Sequence, residues 1–315
     1  MSPQPPIESD RAPTRDLLDP RRLLVFGQVA RSGSLAAAAQ ALGWTQPAVS
    51  AHIRRLERDT GCALVVRSAR GVSLTEAGRA LAQHAYAVAA RLRAAQDDLA
   101  ALADLRAGRV RLAAFPSACA TIVPAALAHL HAQAPALDVR LTEAEPPQAR
   151  QLLADGDVDL VISFSYADVL EEPSRLQLKQ IALVDDAVLL VLPDGHRLAG
   201  DEDVALADVV GERWIAGCPQ CRAHLLAATA AEGFVPDIRH STDDYVVTQK
   251  LVAAGLGVAL LPALAVQAAR DPGVALVRLI RNHPRRVRLE HPADLPVSPA
   301  AAALIATLIE TTSRR

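Results

Sequence analysis

The sequence has no long hydrophobic run, few aromatic residues and almost no lysine. No apolar stretch approaches the ~20 residues that a membrane-spanning helix needs, which argues against a membrane protein. Residues 1–19 are proline-rich and polar with no apolar core, so we expect a disordered tail and not a secretory signal. Only 3% of residues are aromatic and only Lys179 and Lys250 are lysines, a bias we attribute to genome composition. These absences predict a soluble, cytoplasmic protein.

Signatures of common enzyme classes are also absent. Gly255 and Gly257 lack the third glycine of a dinucleotide-binding fingerprint, and they precede a predicted strand instead of opening a helix. The sequence contains no Gly-x-Ser-x-Gly elbow, no Walker A loop and no His-Glu-x-x-His spacing. We therefore expect no enzymatic activity, no catalytic residues, no cofactor and no metal site. The length of 315 residues predicts two or three domains.

Residues 20–60 are typical of three short helices that share one small core. Each segment has a narrow apolar stripe at helical spacing. The stripes are Leu23, Phe26 and Val29, then Leu35, Ala38 and Leu42, then Val49, Ile53 and Leu56. Ser34 is a suitable N-cap for the second helix, Gly43 a suitable terminator, and Pro47 suits the first turn of the third. The tight turn between the second and third helices indicates a helix-turn-helix.

The outer face of the third helix predicts DNA binding. Thr45, Gln46 and Ser50 can bond base edges or phosphates, and His52, Arg54, Arg55 and Arg58 add cationic groups. Two short apolar runs then flank the segment 67–71, which predicts a hairpin wing with Arg67 and Arg70 at its tip. Residues 20–80 contain nine arginines and three carboxylates, net +6, whereas the whole chain is −2, so the remainder is −8. This concentration argues against an ordinary solvated face and favours phosphate contacts.

Residues 75–105 predict one long helix with a heptad seam. The seam consists of Leu81, Ala85, Val88, Leu92, Ala95, Leu99 and Leu102. A narrow seam sustained over about three heptads favours a partner chain over packing on its own domain. A two-fold dimer presents two recognition helices and requires a near-palindromic operator.

Beyond Gly108 the predicted elements alternate between strand and helix. The order is strand, helix, strand, helix, strand over 109–164, which predicts a parallel sheet with helices on its faces. A second set begins near residue 183, and a last strand and helix follow 285. Ligands are expected outside the carboxyl ends of the strands.

Together these motifs resemble the LysR-type transcriptional regulators. The N-terminal match covers about fifty residues and includes S-x-x-x-A-A-x-x-L from Ser34, T-Q-P-A-x-S from Thr45, I-x-x-L-E from Ile53, and G-x-x-L-T-x-A-G from Gly71. The segment LVAAGLGVALLP, from Leu251, is a second mark. The resemblance implies a multidomain protein: a winged helix-turn-helix over 20–78, a linker helix over 75–107, and an α/β effector domain over 109–315. The effector domain is expected to resemble type 2 periplasmic solute-binding proteins, with lobe I at 109–182 and 285–315 and lobe II at 183–284. In such a fold the chain crosses between the lobes twice, and we place these crossings near Ile181–Val184 and Ile280–Arg286. The resemblance also implies that the ligand binds between the lobes.

The resemblance also implies partners and site residues. Thr45, Gln46, Pro47 and Ser50 are expected near bases, and Ser34, Arg54, Arg67 and Arg70 near the DNA backbone. Ala51 departs from the longer polar side chain that many members carry, which leaves the operator sequence open. The expected partners are double-stranded DNA, a small-molecule effector, a second copy through the linker helix (a dimer or tetramer), and RNA polymerase if the protein is an activator.

Three chain segments are expected to line the effector cleft. Ser117, Ala118 and Cys119 open a helix after the first strand, where free N–H groups favour an anion. Ser163 and Phe164 end a strand, and Thr242 and Asp243 form a turn before a helix. The alternative for Ser117, Thr242 and Asp243 is helix capping without any ligand.

A Cys-x-x-Cys motif, Cys218 and Cys221, is not explained by the resemblance. Two small thiols that only shape the pocket wall are one interpretation. A dithiol redox switch is the second, since a helix N-terminus lowers a thiol pKa, and Cys119 would add to it if the lobes bring it close. The third is a metal site with His224, although no second cysteine pair completes four ligands. The alternative function is therefore a redox- or metal-responsive regulator that uses Cys218 and Cys221, or a ligand-binding or enzymatic two-lobed domain with a regulatory head.

Overall fold

The computed structural model describes residues 18–68, 71–104, 108–170, 177–281, 284–293 and 296–314, excepting the side chains of 94, 97, 98 and 100–104. Arg70 and most of the predicted disordered tail lie outside these residues. The chain forms two compact units, one up to Ala90 and one from Arg91 onward. None of the described helices has the length and hydrophobicity to cross a membrane.

The first unit is a three-helix head with a two-stranded hairpin. Its elements are α1 (Pro20–Ser32), α2 (Leu35–Leu42), α3 (Gln46–Thr60), β1 (Val65–Ser68), β2 (Gly71–Leu74) and the start of α4 (Glu76–Asp104). Ser34 caps α2 as predicted, because its Oγ accepts a hydrogen bond from the Ala37 N–H at 3.0 Å. Gly43 ends α2 in the left-handed conformation with φ 68°. The turn between α2 and α3 is therefore encoded by the residues that the sequence indicates.

One core holds the three helices and the start of α4 together. Phe26, Val49, Ile53 and Leu56 are fully buried, as their helical spacing predicts. Ala82 and Ala85 of α4 belong to this same core, with Leu81 and Val88 packed at its edge.

The predicted heptad seam accordingly has two environments. The first half of the seam packs against the head itself, which is the alternative to a partner chain that the sequence left open. Further along α4, the Leu92 and Leu99 side chains are 49% and 67% exposed. Among the seam residues whose side chains the structure describes, Leu92 and Leu99 are the leucines left exposed, and Leu102 lies outside those residues.

The hairpin is positioned against the turn between α1 and α2 through Gly71. The Val72 N–H donates to the Gly33 carbonyl at 2.8 Å. Gly71 has φ 124°, and a Cβ there would lie 2.7 Å from the Gly33 oxygen. The close approach requires glycine at this position.

Gly71→Ala is expected to loosen the hairpin and destabilise the head by roughly 3 kcal/mol, from backbone strain plus overpacking. Gly61→Ala is the matched control, because Gly61 also has positive φ but no atom within 4 Å of its Cβ position. We expect it to cost roughly 1 kcal/mol. Hydrogen–deuterium exchange of the full chain measures both, in peptides from α2 and β1. Equal losses of protection would contradict the assigned contact.

The second unit contains two sheets flanked by helices. Its first strands and helices are β3 (Arg109–Ala114), α5 (Pro116–Gln133), β4 (Asp138–Glu143), α6 (Pro146–Ala154), β5 (Leu160–Ser165), β6 (Leu178–Asp186) and β7 (Val188–Pro193). Next come β8 (Asp203–Val204), a 3-10 turn (Leu206–Val209), β9 (Arg213–Ala216), α7 (Pro219–Ala231), β10 (Asp237–Ser241) and α8 (Tyr245–Ala253). The chain ends with β11 (Val258–Pro262), α9 (Ala263–Ala268), β12 (Val274–Leu279), β13 (Arg285–Pro292) and α10 (Pro299–Ser313).

Each sheet is the framework of one lobe. The first lobe has five strands in the order β4-β3-β5-β13-β6, and the second has six in the order β10-β9-β11-β7-β12-β8. β3, β4 and β5 are parallel, as the alternation predicts. β13 is antiparallel to both β5 and β6, so the first sheet is mixed. The carboxyl ends of β3, β4 and β5 meet at one edge of this sheet.

The first crossing between the lobes differs from the prediction. β6 stays in the first sheet up to Asp186, which pairs with Arg285 of β13, and β7 of the second sheet begins at Val188. The crossing is therefore at residue 187, not at Ile181–Val184. Apolar residues lie on both sides of Asp185 and Asp186, so only the strand pairing locates the crossing. β12 ends in the second sheet at Leu279 and β13 begins in the first at Arg285.

Candidate functional site

The exposed face of α3 presents polar groups at its start. Thr45, Gln46 and Pro47 are exposed. Thr45 is the N-cap of α3, but its side chain makes no capping hydrogen bond. Its hydroxyl and the Gln46 amide therefore face solvent at the helix end that enters a groove in helix-turn-helix proteins.

Positive charge on the same helix is not neutralised by its own carboxylates. Arg54, Arg55 and Arg58 are exposed, and none has an ion pair within the part of the chain that the structure describes. The Glu57 carboxylate accepts from the Leu64 N–H at 2.9 Å. Asp59 pairs with Arg22. Both acids are thus engaged by other groups of the head.

Two of the predicted DNA contacts have partners inside the head. Ser50 is 8% exposed, and its Oγ accepts from Arg67 at 3.1 Å, which connects α3 to the hairpin. His52 packs on Trp44, with ring centroids 5.1 Å apart. The Arg21 guanidinium also lies over the Trp44 ring, 5.0 Å from its centroid. Ser50 therefore positions Arg67 from a buried site, whereas the sequence suggests direct contact with bases.

In the second unit, Arg285 is a buried cation beside the crossings between the lobes. Its Nε donates to Asp186 at 2.7 Å and its Nη2 to the Ser117 Oγ at 2.6 Å. The guanidinium lies over the rings of Phe115 and Phe164, at 4.6 and 4.7 Å. Asp186 also accepts from the Leu264 N–H at 2.9 Å. Every polar group named here already has a partner in the protein.

These side chains line a cavity of about 50 Å³ between the lobes. From the first lobe it is lined by Phe115, Ser117, Glu145, Phe164 and Arg285, and from the second by Cys218, Cys221, Thr242, Asp243, Tyr245 and Thr248. Burial raises the pKa of Glu145, although the nearby Arg285 opposes the shift. The Glu145 Oε2 atom is buried and has no hydrogen-bond partner among the described residues.

The two cysteines of the Cys-x-x-Cys motif meet at this cavity. Cys218 is the N-cap of α7, and its thiol donates to the Cys221 Sγ at 3.0 Å. Both are free thiols. The hydrogen bond from Cys218, together with Arg285 and Tyr166, lowers the pKa of Cys221, while the same bond and burial raise the pKa of Cys218.

Family models match nearly the whole described chain. The model described as "Bacterial regulatory helix-turn-helix protein, lysR family" matches residues 20–79, and the LysR substrate binding domain matches residues 103–313. The chain belongs to the LysR family of transcriptional regulators. It is a DNA-binding regulator with an effector-binding domain, and regulators of this family bind operators and small-molecule effectors and form oligomers.

Individual LysR-family relatives are similar over most of their length. The dual regulator OxyR of Escherichia coli is 29% identical over 77% of this chain and 78% of that protein. CbbR of Sinorhizobium medicae is 28% identical over 78% of each. Among solved structures, the LysR-family regulator CbnR has a TM-score of 0.62 at 21% identity, over 93% of this chain and 99% of that chain. These relatives are transcriptional regulators, and the solved structure supports the fold.

The predicted effector residues fall into two groups. Ser117, Phe164, Cys218, Thr242 and Asp243 line the cavity. Ala118 and Ser163 are fully buried in the first lobe and do not line it. Cys119 does not line the cavity either. Its thiol donates a hydrogen bond to the Ala114 carbonyl at 3.2 Å. Burial raises the pKa of Cys119 to about 12, so it is not a nucleophile near neutral pH.

The capping alternative for these residues is wrong in detail. Phe115 is the N-cap of α5, which has no side-chain cap, and the Ser117 Oγ is taken by Arg285. Asp244, not Thr242 or Asp243, caps α8 through the Val246 and Val247 N–H groups. Thr242 and Asp243, which precede this cap, line the cavity instead.

Sequence reasoning missed Arg285, Asp186, Glu145 and Tyr166. Glu145 follows β4 as Ser117 follows β3, so the rule that parallel strands end at one edge would have found it. Arg285 lies within the second predicted crossing, but nothing local marks it as buried. Its environment depends on the pairing of β6 with β13, which joins residues 99 apart in sequence.

The metal alternative finds no support in the described residues, where no group of three His, Cys, Asp or Glu side chains is arranged to hold an ion. His224 is engaged elsewhere. Its Nδ1 lies 2.9 Å from Asp168, and its ring stacks on Tyr166.

Proposed function

We propose that the exposed start of α3 reads the operator and that the surrounding arginines hold its phosphates. Thr45 and Gln46 contact base edges, and Arg54 and Arg67 contact the backbone. The support is that Thr45 has no capping bond and that Arg54 has no acidic partner in the described chain. The exposed Leu92 and Leu99 of α4 pair subunits, so that two heads engage a near-palindromic site. The protein acts in the cytoplasm, where its DNA is, and by binding, without catalysis.

The cavity between the lobes is the effector site, and its charges select against anions. Arg285, the one cation among the described residues that line it, is already neutralised by Asp186 at 2.7 Å. Glu145 and Asp243 add carboxylates to the lining. A bound anion would meet the partly buried Glu145 and the exposed Asp243 without a free cation in the lining, at an electrostatic cost. The expected effector is therefore small and uncharged, with hydrogen-bond donors for the buried Glu145 oxygen. This differs from the anion that the helix start alone suggests.

A matched pair of ligand series tests this selectivity. We expect short aliphatic amides to raise the melting temperature of the full-length protein and the matching carboxylates to leave it unchanged. Glu145→Gln, which removes one acid with little change in shape, is expected to admit the carboxylates. Arg140→Gln, at an exposed strand position, is the control and should change neither response. Stabilisation by carboxylates in the unaltered protein would refute the proposed effector class.

A further inference from the structure

α7 of the second lobe is joined to the first lobe by three contacts in a row. The Tyr166 hydroxyl lies 3.6 Å from the Cys221 Sγ. One helical turn further, His224 stacks on the Tyr166 ring, with centroids 4.1 Å apart and planes 2° from parallel. His224 also lies 2.9 Å from Asp168. We call Cys221, His224, Tyr166 and Asp168 the α7 latch.

One sulfur atom belongs both to the latch and to the dithiol. Burial raises the pKa of Tyr166 well above its usual range, so the hydroxyl stays protonated and donates to Cys221. Cys218 donates to the same sulfur at 3.0 Å. Two donors and the nearby Arg285 favour a thiolate at Cys221. A change in the bonding of this sulfur therefore changes the latch.

We infer that Cys218 and Cys221 form a redox switch, in which a small hydroperoxide in the cavity oxidises the dithiol to a disulfide and weakens the α7 latch. The inference rests on the proposed function of the cavity as the effector site, and it names the effector class. Three observations carry it: the 3.0 Å separation of the sulfurs, their place in the cavity wall, and the contact of one of them with the other lobe. A cavity of about 50 Å³ has room for hydrogen peroxide, which is uncharged and donates hydrogen bonds, and leaves little room for a bulky disulfide.

The chemistry balances with the groups at hand. The Cys221 thiolate attacks one peroxide oxygen, the O–O bond breaks, and a sulfenic acid and hydroxide form. The hydroxide takes the Cys218 proton, relayed by the Glu145 carboxylate beside that thiol, and becomes water. The Cys218 thiolate then attacks the Cys221 sulfur, so that the S–S bond forms and the second hydroxide leaves. The protein loses two electrons, and the peroxide gains them.

Formation of the disulfide changes the latch for a physical reason. A disulfide sulfur carries no charge and accepts hydrogen bonds poorly, so the Tyr166 hydroxyl loses its charged acceptor. Arg285 loses the attraction of a nearby thiolate. The sulfurs must also approach from 3.0 Å to the ~2.05 Å of a disulfide, which moves the start of α7. The lobes are then held by fewer contacts.

The test uses the reduced, full-length protein and hydrogen peroxide as the probe, with alkylation and peptide mass mapping as the readout. We expect a Cys218–Cys221 disulfide that dithiothreitol reverses, and no disulfide that includes Cys62 or Cys119. Cys218→Ser, or Cys218→Ala if serine is not tolerated, should stop at a sulfenic acid on Cys221 that dimedone traps. Oxidised glutathione should react at least about tenfold more slowly, since the cavity leaves little room for it. A disulfide formed equally fast by glutathione, or thiols that stay reduced, would overturn the inference.

Coupling to the latch is read by hydrogen exchange of peptides that contain Tyr166 and His224. Oxidation should raise their exchange, and Cys62→Ser should leave this response unchanged while Cys221→Ser abolishes it. Unchanged exchange in a fully oxidised protein would refute the latch. Operator binding is measured in parallel, which separates the redox switch from the proposed DNA contacts. Absence of the thiol chemistry with intact DNA binding rejects only the switch. Oxidation of the thiols in a protein that binds no DNA rejects only the proposed DNA contacts.

Discussion

Arg285→Ala is expected to destabilise the effector domain by about 3–5 kcal/mol, because it leaves the Asp186 carboxylate buried without its cation. Both side chains are almost fully buried, 3% and 1% exposed, and the pair joins β6 to β13 at the crossings between the lobes. The substitution also removes the hydrogen bond to Ser117 and the packing on two phenyl rings. Urea unfolding of the full-length protein, followed by circular dichroism, measures the loss.

Arg278→Ala is the matched control for this prediction. Arg278 pairs with Asp203 at 3.1 Å, but these side chains are 63% and 49% exposed. An exposed pair of this kind contributes about 0–1 kcal/mol. Adding Asp186→Asn to Arg285→Ala should restore part of the lost stability, since it removes the uncompensated charge. If Arg278→Ala and Arg285→Ala lowered the free energy of unfolding by similar amounts, burial of the Arg285–Asp186 pair would not be the cause of the destabilisation.

Gln46→Ala and Arg54→Ala are expected to weaken operator binding in different ways. Loss of a base contact costs about 1–3 kcal/mol on the operator and leaves nonspecific DNA binding unchanged, which is the result we expect for Gln46→Ala. Loss of a phosphate contact weakens operator and nonspecific binding alike and lowers the salt dependence by about one unit of slope, as we expect for Arg54→Ala. Fluorescence anisotropy across a salt series measures both, on an operator found by footprinting the DNA beside the gene.

Arg239→Ala serves as the control for charge alone. Arg239 is an exposed arginine of the second unit, paired with Asp237 at 2.8 Å, and its loss should change neither affinity nor salt slope. If Gln46→Ala weakened both kinds of DNA equally, Gln46 would be a backbone contact and the assignment of base recognition to the start of α3 would be wrong.

The head could be predicted almost element by element, because its determinants are local. Ser34, Gly43 and Pro47 act on the turn in which they lie, and the apolar spacing of Leu23 to Leu56 requires only that three stripes meet. Hydrogen-bond partners that come from a different helix or strand were not predictable in the same way. Ser50 looks like a free hydroxyl on the third helix, but Arg67 of the hairpin, 17 residues away, takes it.

The amino-acid sequence by itself determined the helix-turn-helix, the alternation of strands and helices, and the edge of the sheet where the proposed effector site lies, since each follows from periodicity and short-range chemistry. Only the tertiary structure decided which groups there remain available. The pairing of β6 with β13 moved the crossing to residue 187 and brought Asp186 to Arg285, which neutralised the cation of the cleft. Packing of α7 against the end of β5 placed the Cys221 sulfur beside Tyr166. Such contacts join residues distant in sequence, and their charge and hydrogen bonding depend on burial that no local pattern encodes.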